Sequence, residues 1–222
     1  MPVTTKTVGL LLGSEFPNNL IGKQGNLAVA ATFQISEAES RCLASYLNQN
    51  ATVWHLLETL PQLPVEAWLA AGCIMQTVWN IQLGRPPATG IRDFDVIYFD
   101  AEDLSWEAED NLIQSAQKLW PDLEVELRNQ ARVHLWYPDK FGVEIAPLNS
   151  LEAALHLWPA TCHAIAVRKT QSGLQVLAPW GLEDLWSGQL RANPNCPDES
   201  AYEKKVKRWL ESWPHLNKFI AI

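Results

Sequence analysis

Apolar and polar positions alternate with different periods along the chain, and the changes of period mark the predicted elements. A short apolar run at 68–71 ends at Gly72, and the following segment, 74–83, has apolar residues at three- and four-residue spacing. That spacing predicts a helix with one face toward the core. Segment 93–99 is a continuous apolar run behind a polar head, as in a strand buried on both faces. The order is therefore strand, turn, helix, turn, strand.

Helix start signals place further helices on both sides of this central unit. Ser36 and Glu39 form a capping box, which predicts a helix to about residue 47, and Asn50 or Thr52 can begin a second one. Ser105 predicts another N-cap, and the acids that follow it suit the positive end of a helix dipole. Residues 202–213 read as a final helix, with an apolar side that docks and a basic side in solvent.

Segment 124–137 alternates between apolar and polar residues, which predicts one long, half-exposed strand. Its polar face would carry Glu124, Glu126, Arg128, Gln130, Arg132 and His134. Residues 137–142 then read as a turn, and a hairpin is predicted around 171–173.

Composition narrows the class of protein. A chain of 222 residues with 47% hydrophobic residues fits one globular domain, or one domain with an extension. The net charge of −8 argues against a general nucleic-acid binder, which needs a basic face. The four cysteines have no zinc-ligand spacing, and no apolar run approaches the roughly 20 residues of a membrane span. We therefore expect a cytoplasmic protein with reduced thiols and no membrane contact.

The patterns divide the chain into three parts. Residues 1–34 have no clear period and predict a poorly ordered or extended segment. Residues 35–195 hold the predicted helices and strands of one domain. Residues 196–222 carry the last predicted helix, which we expect to pack on that domain.

Two carboxylates stand at the head of the apolar strand. Asp93 and Asp95 are two residues apart, so on a strand they project to the same face. Carboxylates held that close repel each other, and a hard divalent cation would relieve the repulsion. The ordinary alternative is a pair of aspartates at a strand start, where this residue type is common.

The Gly72-Cys73 turn, the helix and the Asp-x-Asp strand together resemble the DNA polymerase β type nucleotidyltransferase superfamily, and more specifically a bacterial family of uncharacterised nucleotidyltransferase-like proteins. The resemblance covers roughly residues 65–195. Its stretches are AAGCIMQTVWN (70–80), DFDVIYFD (93–100), LSWEAED (104–110), RNQARVHLWY (128–137) and APWGLEDLW (178–186).

The resemblance implies an α+β fold, with a small mixed sheet flanked by helices, and a role for each part of the site. Asp93 and Asp95 would hold Mg²⁺ or Mn²⁺. Gly72 and Cys73 would cradle the phosphates of a nucleotide, although the superfamily usually has Ser or Gly at the position of Cys73. A third acid on the neighbouring strand would complete the metal site; Glu126 is the candidate.

Three choices stay open around these residues. Glu124 is the runner-up for the third acid, and the acids and arginines of that strand could instead form a charge ladder across strands. Arg92 and Arg132 are candidates for phosphate contact, against ordinary surface or paired arginines. Asn80, polar within an apolar helix turn, either orients a loop near the acids or is exposed.

The implied reaction is metal-dependent transfer of a nucleoside monophosphate from an NTP to a hydroxyl acceptor, which the resemblance does not name. The acidic net charge argues against nucleic acid as that acceptor. One rival is a non-catalytic nucleotide-binding or regulatory module on the same fold. The other is a sugar-nucleotide glycosyltransferase, which also uses Asp-x-Asp but usually has a nucleotide-binding half before the motif.

Overall fold

The computed structural model of the protein describes residues 33–218, so nearly all of the predicted N-terminal segment, 1–34, lies outside the described residues. The α-helices are α1 (Glu37–Leu47), α2 (Ala51–Thr59), α3 (Gly72–Gln82), α4 (Trp106–Leu119), α5 (Val133–Phe141), α6 (Leu151–Leu155), α7 (Glu183–Ser187) and α8 (Glu199–Ser212). The strands are β1 (Trp68–Ala70), β2 (Phe94–Tyr98), β3 (Val125–Asn129), β4 (Ala166–Thr170), β5 (Gly173–Leu177), β6 (Gln189–Leu190) and β7 (Asn217–Lys218).

Five of the strands form a mixed sheet in the order β3-β2-β1-β4-β5. The pair β2–β3 is parallel and is connected through α4, whereas the other three pairs are antiparallel. A separate parallel pair, β6–β7, lies outside this sheet. The predicted α+β class with a small mixed sheet flanked by helices is confirmed.

The two faces of the sheet belong to different apolar clusters. Leu69, Val96 and Leu127 face the larger cluster, which includes the buried residues of α1, α2 and α3. Ala70 and Ile97 face a smaller cluster that contains Leu151 and Leu155 of α6. Since residues two apart on a strand share a face, Asp95 lies on the same face as Ile97. The acidic residues of β2 therefore lie on the face that α3 does not cover.

Helix caps form where the sequence predicts them. The Ser36 hydroxyl accepts from the Glu39 N–H at 3.2 Å, and the Glu39 carboxylate accepts from the Ser36 N–H at 2.9 Å. Asn50 and Ser105 cap α2 and α4 in the same way, each by accepting from the N–H three residues on. Each helix between residues 33 and 218 is too short or too polar to cross a bilayer.

The predicted long strand 124–137 is wrong, because β3 ends at Asn129. The Asn129 side chain accepts from the Asp100 N–H and the Ala131 N–H, each at 3.0 Å, and donates to Asp100 O at 2.8 Å. These bonds turn the backbone into a 3₁₀ turn at Gln130–Arg132, after which α5 replaces both the rest of the strand and the predicted turn at 137–142. The alternation of apolar and polar residues continues past Asn129, because the strand is ended by the hydrogen bonds of the Asn129 side chain and not by a change in the sequence pattern.

Candidate functional site

The three predicted acids lie near the end of the sheet where β2 and β3 begin. Asp95 and Glu126 are register partners on these neighbouring parallel strands, so their side chains lie on one face. Asp93 stands two residues before Asp95, in the segment that leads into β2. Glu126 is exposed, while both aspartates are half-buried. By contrast Glu124, the runner-up, precedes β3 and is exposed.

The Asp95 carboxyl is in an unfavourable electrostatic environment. Burial raises its pKa from the usual 3.8 to about 6, and the charges of Asp93 and Glu126 act in the same direction. Two cationic groups of α8, Lys205 and Arg208, partly oppose this shift. The ionised site thus has negative charge that the surrounding protein does not fully neutralise.

Hard oxygen donors of this kind suit Mg²⁺ or Mn²⁺. No three His, Cys, Asp or Glu side chains within residues 33–218 lie close enough together to hold one ion. The predicted set of Asp93, Asp95 and Glu126 is therefore not assembled as a chelate in this conformation. Burial of the ionised Asp95 carboxyl is unfavourable, and the charges of Asp93 and Glu126 add to it, so the site still fits a cation bound by the two aspartates with Glu126 beside them.

The turn from β1 into α3 has a strained backbone. Ala71, the N-cap of α3, has φ 57° and ψ −121°, a conformation that costs non-glycine residues about 1–3 kcal/mol. The N–H groups of Ile74 and Met75 both donate to Ala71 O, at 3.1 and 3.3 Å. Of the helix's first unsatisfied donors, the N–H groups of Gly72 and Cys73 are then left for a ligand.

Gly72 does not have a positive φ, and a side chain at this position would be close to a neighbouring one. A Cβ at this position would lie 3.1 Å from Nε2 of Gln76, one turn along α3. Gln76 is buried, and its Oε1 has no hydrogen-bond partner among the described residues. The turn therefore brings backbone and a buried amide together. The sequence pattern does not single out Gln76, since a glutamine on a helix is ordinarily exposed.

The Cys73 side chain does not face outward as a phosphate-binding hydroxyl would. Its thiol is buried and donates to Ala70 O at 3.5 Å. Burial raises the pKa of this thiol well above its usual range, and the charges of Asp95 and Asp93 add to the effect. The group is a neutral thiol, so only the Cys73 backbone N–H is available to an anion.

The two predicted arginines are placed differently. Arg92 is exposed in the segment before β2, close in sequence to the acids. Arg132 is in the 3₁₀ turn after β3 and not on the strand face of Glu126 as expected. Its guanidinium pairs with Glu109 of α4, donates through Nε to Leu104 O at 3.0 Å and is only 12% exposed. Nε and Nη1 of this guanidinium are thus bonded within the protein, and its charge is paired with that of Glu109.

Asn80 orients a loop and is not exposed. Its side chain is fully buried and donates to Pro87 O at 3.0 Å and Thr89 O at 2.8 Å. Its Oδ1 accepts from Trp213 Nε1, just beyond α8, at 2.9 Å. Asn80 thus ties the loop that precedes the acids to the C-terminal end of α8.

The basic side of α8 is not simply solvated, which corrects the expectation for this helix. Lys205 is half-buried, and its charge acts on Asp95, Asp93 and Glu126. The sequence offered one signal, a lysine beside the apolar stripe of the helix. It could not show that the acids lie opposite.

The comparisons with known proteins concern the family and the fold of the chain. A family model described as Nucleotidyltransferase matches residues 59–218, which is most of the chain. The chain belongs to the nucleotidyltransferase family. No curated protein matches it significantly.

Solved structures share the fold of this nucleotidyltransferase. One, described as an NMR structure that reveals a CCA-adding enzyme head domain, has a TM-score of 0.68 at 25% identity, covering 82% of this chain and 96% of the other. A CCA-adding enzyme in complex with CTP matches with TM-score 0.47 and 12% identity over 82% of this chain and 43% of that one. The Thermotoga maritima CCA-adding enzyme in complex with tRNA matches with a TM-score of 0.47 and 13% identity, over 82% of this chain and 42% of that one. This chain spans less than half the length of the last two.

These matches confirm the predicted family, fold and enzyme class. The expectation that nucleic acid is not a partner gains no support from these comparisons.

Proposed function

We propose that this nucleotidyltransferase transfers a nucleoside monophosphate from a metal-bound NTP to a hydroxyl acceptor. The observation that carries the proposal is the register of β2 and β3. It places Asp95 and Glu126 side by side on one face of the sheet, with Asp93 at the strand head. Acids at this position on the fold of a nucleotidyltransferase suit a site where phosphate charge must be neutralised.

The phosphates bind at the start of α3. The N–H groups of Gly72 and Cys73 are hydrogen-bond donors for an anion at this end of the sheet, and the helix dipole favours negative charge there. Gly72 lets the phosphate approach the backbone, because glycine has no side chain of its own. Arg92, exposed before β2, is available as a further phosphate contact.

Asp93 and Asp95 would hold the divalent cation, Mg²⁺ or Mn²⁺, with Glu126 beside them. When bound, the ion neutralises charge on the phosphates and on the leaving pyrophosphate. The chain's own contribution is to position the reactants. The acceptor oxygen forms a bond to the α-phosphorus, and the bond from that phosphorus to the bridging oxygen breaks. Pyrophosphate leaves with the electron pair, and Glu126 takes the proton of the acceptor hydroxyl.

The test is NTP binding measured by thermal shift, with and without Mg²⁺, on wild type and Asp95→Asn. A ligand at about 100 times its dissociation constant adds about 2.7 kcal/mol of stability, enough for a clear melting shift. We expect a Mg²⁺-dependent shift in wild type that is absent in Asp95→Asn. Because Asp95 carries a buried charge that the fold disfavours, its amide variant should remain folded.

Asp122→Asn is the matched control, since Asp122 is an exposed aspartate in the turn before β3. It should keep the wild-type shift with each NTP. A Mg²⁺-dependent shift that survives in Asp95→Asn would exclude the assigned metal site. A folded wild type that responds to no NTP would instead favour the non-catalytic module, or a sugar-nucleotide ligand to be tried next.

A further inference from the structure

Helix α8 is held against the domain along its length. The residues of its apolar stripe recur at three- and four-residue spacing and are all buried: Tyr202, Val206, Trp209 and Trp213. The Trp209 ring lies 6.1 Å from that of Trp79 and 5.5 Å from that of His163. The Tyr202 hydroxyl donates to Leu190 O at 2.7 Å, and Arg85 donates to Ser212 O at 2.8 Å. Side chains on α8 therefore have defined positions relative to the sheet.

Two cations flank this stripe on the side of the acids. Lys205 and Arg208 are three residues apart, so they are neighbours on one helix surface. Both charges act on Asp95, and the charge of Lys205 also acts on Asp93 and Glu126. Lys205 forms no ion pair or hydrogen bond with any residue in 33–218, although it is half-buried.

A half-buried ammonium without a direct partner needs an explanation, because long cationic side chains usually reach water or a carboxylate. Lys205 is neither fully in water nor bonded to a carboxylate, although its charge interacts with three carboxylates. The α8 cations and the β2–β3 acids together have the charge pattern that a metal-bound triphosphate requires. Carboxylates on one side suit the metal, and donors on the other suit phosphate oxygens.

We propose that α8 forms one wall of the nucleotide site, with Lys205, assisted by Arg208, binding the β- and γ-phosphates of the NTP. The inference rests on the proposed function, and it adds a phosphate-binding group that lies more than 100 residues after Asp93 and Asp95 in the sequence. The alternative is that Lys205 binds no ligand and only offsets the negative charge of the acids.

The test compares Lys205→Ala, Lys205→Arg and Lys207→Ala by calorimetric titration with each Mg·NTP and with Mg·tripolyphosphate. Lys207 is exposed and lies about 200° around the helix from Lys205, so its variant removes the same charge from the opposite side. We expect Lys205→Ala to weaken both ligands about 10- to 100-fold, as for loss of a charge-assisted hydrogen bond. Lys205→Arg should recover most of the affinity, and Lys207→Ala should bind as wild type does.

Unchanged or tighter binding in Lys205→Ala would overturn the inference, because a residue that only offsets the acids competes with the metal. An equal loss in Lys207→Ala would also overturn it, as a general effect of net charge. Wild type that binds tripolyphosphate through Lys205 but no NTP would refute the proposed function and leave Lys205 as a polyphosphate-binding residue. Wild type that binds neither ligand would refute both. Circular dichroism of each variant checks that the fold is retained.

Discussion

His163 shows how strongly a single position depends on its neighbours. The side chain is 6% exposed, between the rings of Trp158 and Trp209, whose centroids lie 5.0 and 5.5 Å away. Burial lowers the pKa of His163 well below its usual 6.5, and the charges of Lys205 and Arg208 lower it further. The imidazole is therefore neutral in the folded protein, although a histidine in this segment gives no such sign in the sequence.

That neutrality predicts a loss of stability in mild acid. Below about pH 6.5 the unfolded chain binds a proton at His163 that the folded protein refuses, so the free energy of unfolding falls. By pH 5 this single group should contribute about 2 kcal/mol of the loss. Urea unfolding at pH 7 and pH 5 measures the difference, and His163→Phe should reduce it by about that amount while keeping an aromatic ring. An identical pH dependence in the variant would show that His163 is not the group responsible.

At the scale of elements, the junction between α4 and β3 depends on one buried acid. Glu109 is 2% exposed, pairs with Arg132 and accepts from the Asn129 N–H at 2.7 Å. The Arg132 guanidinium also lies 5.4 Å from the centre of the Trp106 ring. The expectation that the acids at the start of α4 only complement the helix dipole therefore misses Glu109. This acid ties the start of α4 to the end of β3 and the turn that follows.

Arg132→Ala should destabilise the protein by about 3–5 kcal/mol, because it leaves the Glu109 carboxylate buried without its partner. The double variant Glu109→Gln with Arg132→Met should lose less, since it removes the buried charge as well. Urea unfolding of the three chains measures this order. NTP affinity of folded Arg132→Ala should equal that of wild type. Lost affinity with unchanged stability would return Arg132 to the phosphate site.

At the scale of the whole molecule, α8 belongs to the main core. Its buried stripe lies in the same apolar cluster as residues of α1, α2 and α3. Trp79 of α3 is fully buried, and the ring of Trp213 lies 5.8 Å from it. We therefore propose that the predicted domain 35–195 and the segment 196–222 form one folding unit.

A chain that ends at Asn195 should not unfold cooperatively. Each large apolar side chain of α8 contributes about 1.5–3 kcal/mol by burial, and together they approach the 5–15 kcal/mol of a typical domain. Tryptophan fluorescence during urea titration should show a broad change in place of one sharp transition. Adding the peptide 196–222 should restore the transition. A truncated chain with the midpoint of the full chain would show that α8 is an independent appendage.

The sequence determined the features that depend on near neighbours. The capping box at Ser36, the helix that follows Gly72 and the buried strand after Asp93 each follow from residues within a few positions. The family resemblance was readable for the same reason, because its turn, helix and acidic strand are contiguous. It selected Glu126 over Glu124, and the register of β3 on β2 pairs Glu126 with Asp95. Periodicity failed at Asn129, where a side chain bonded to Asp100 ends the strand without changing the pattern.

Only the tertiary structure decided which charges meet. Lys205 faces the acids because α8 packs its aromatic stripe against Trp79 and His163, residues far away in the sequence. Arg132 is withdrawn from the acids because Glu109 pairs with it across a helix–strand junction. Coulomb interactions depend on distance in space and on burial, and neither is encoded in local periodicity. The local sequence pattern therefore predicts which strands carry the carboxylates, whereas the packing of the helices determines which cations lie near them.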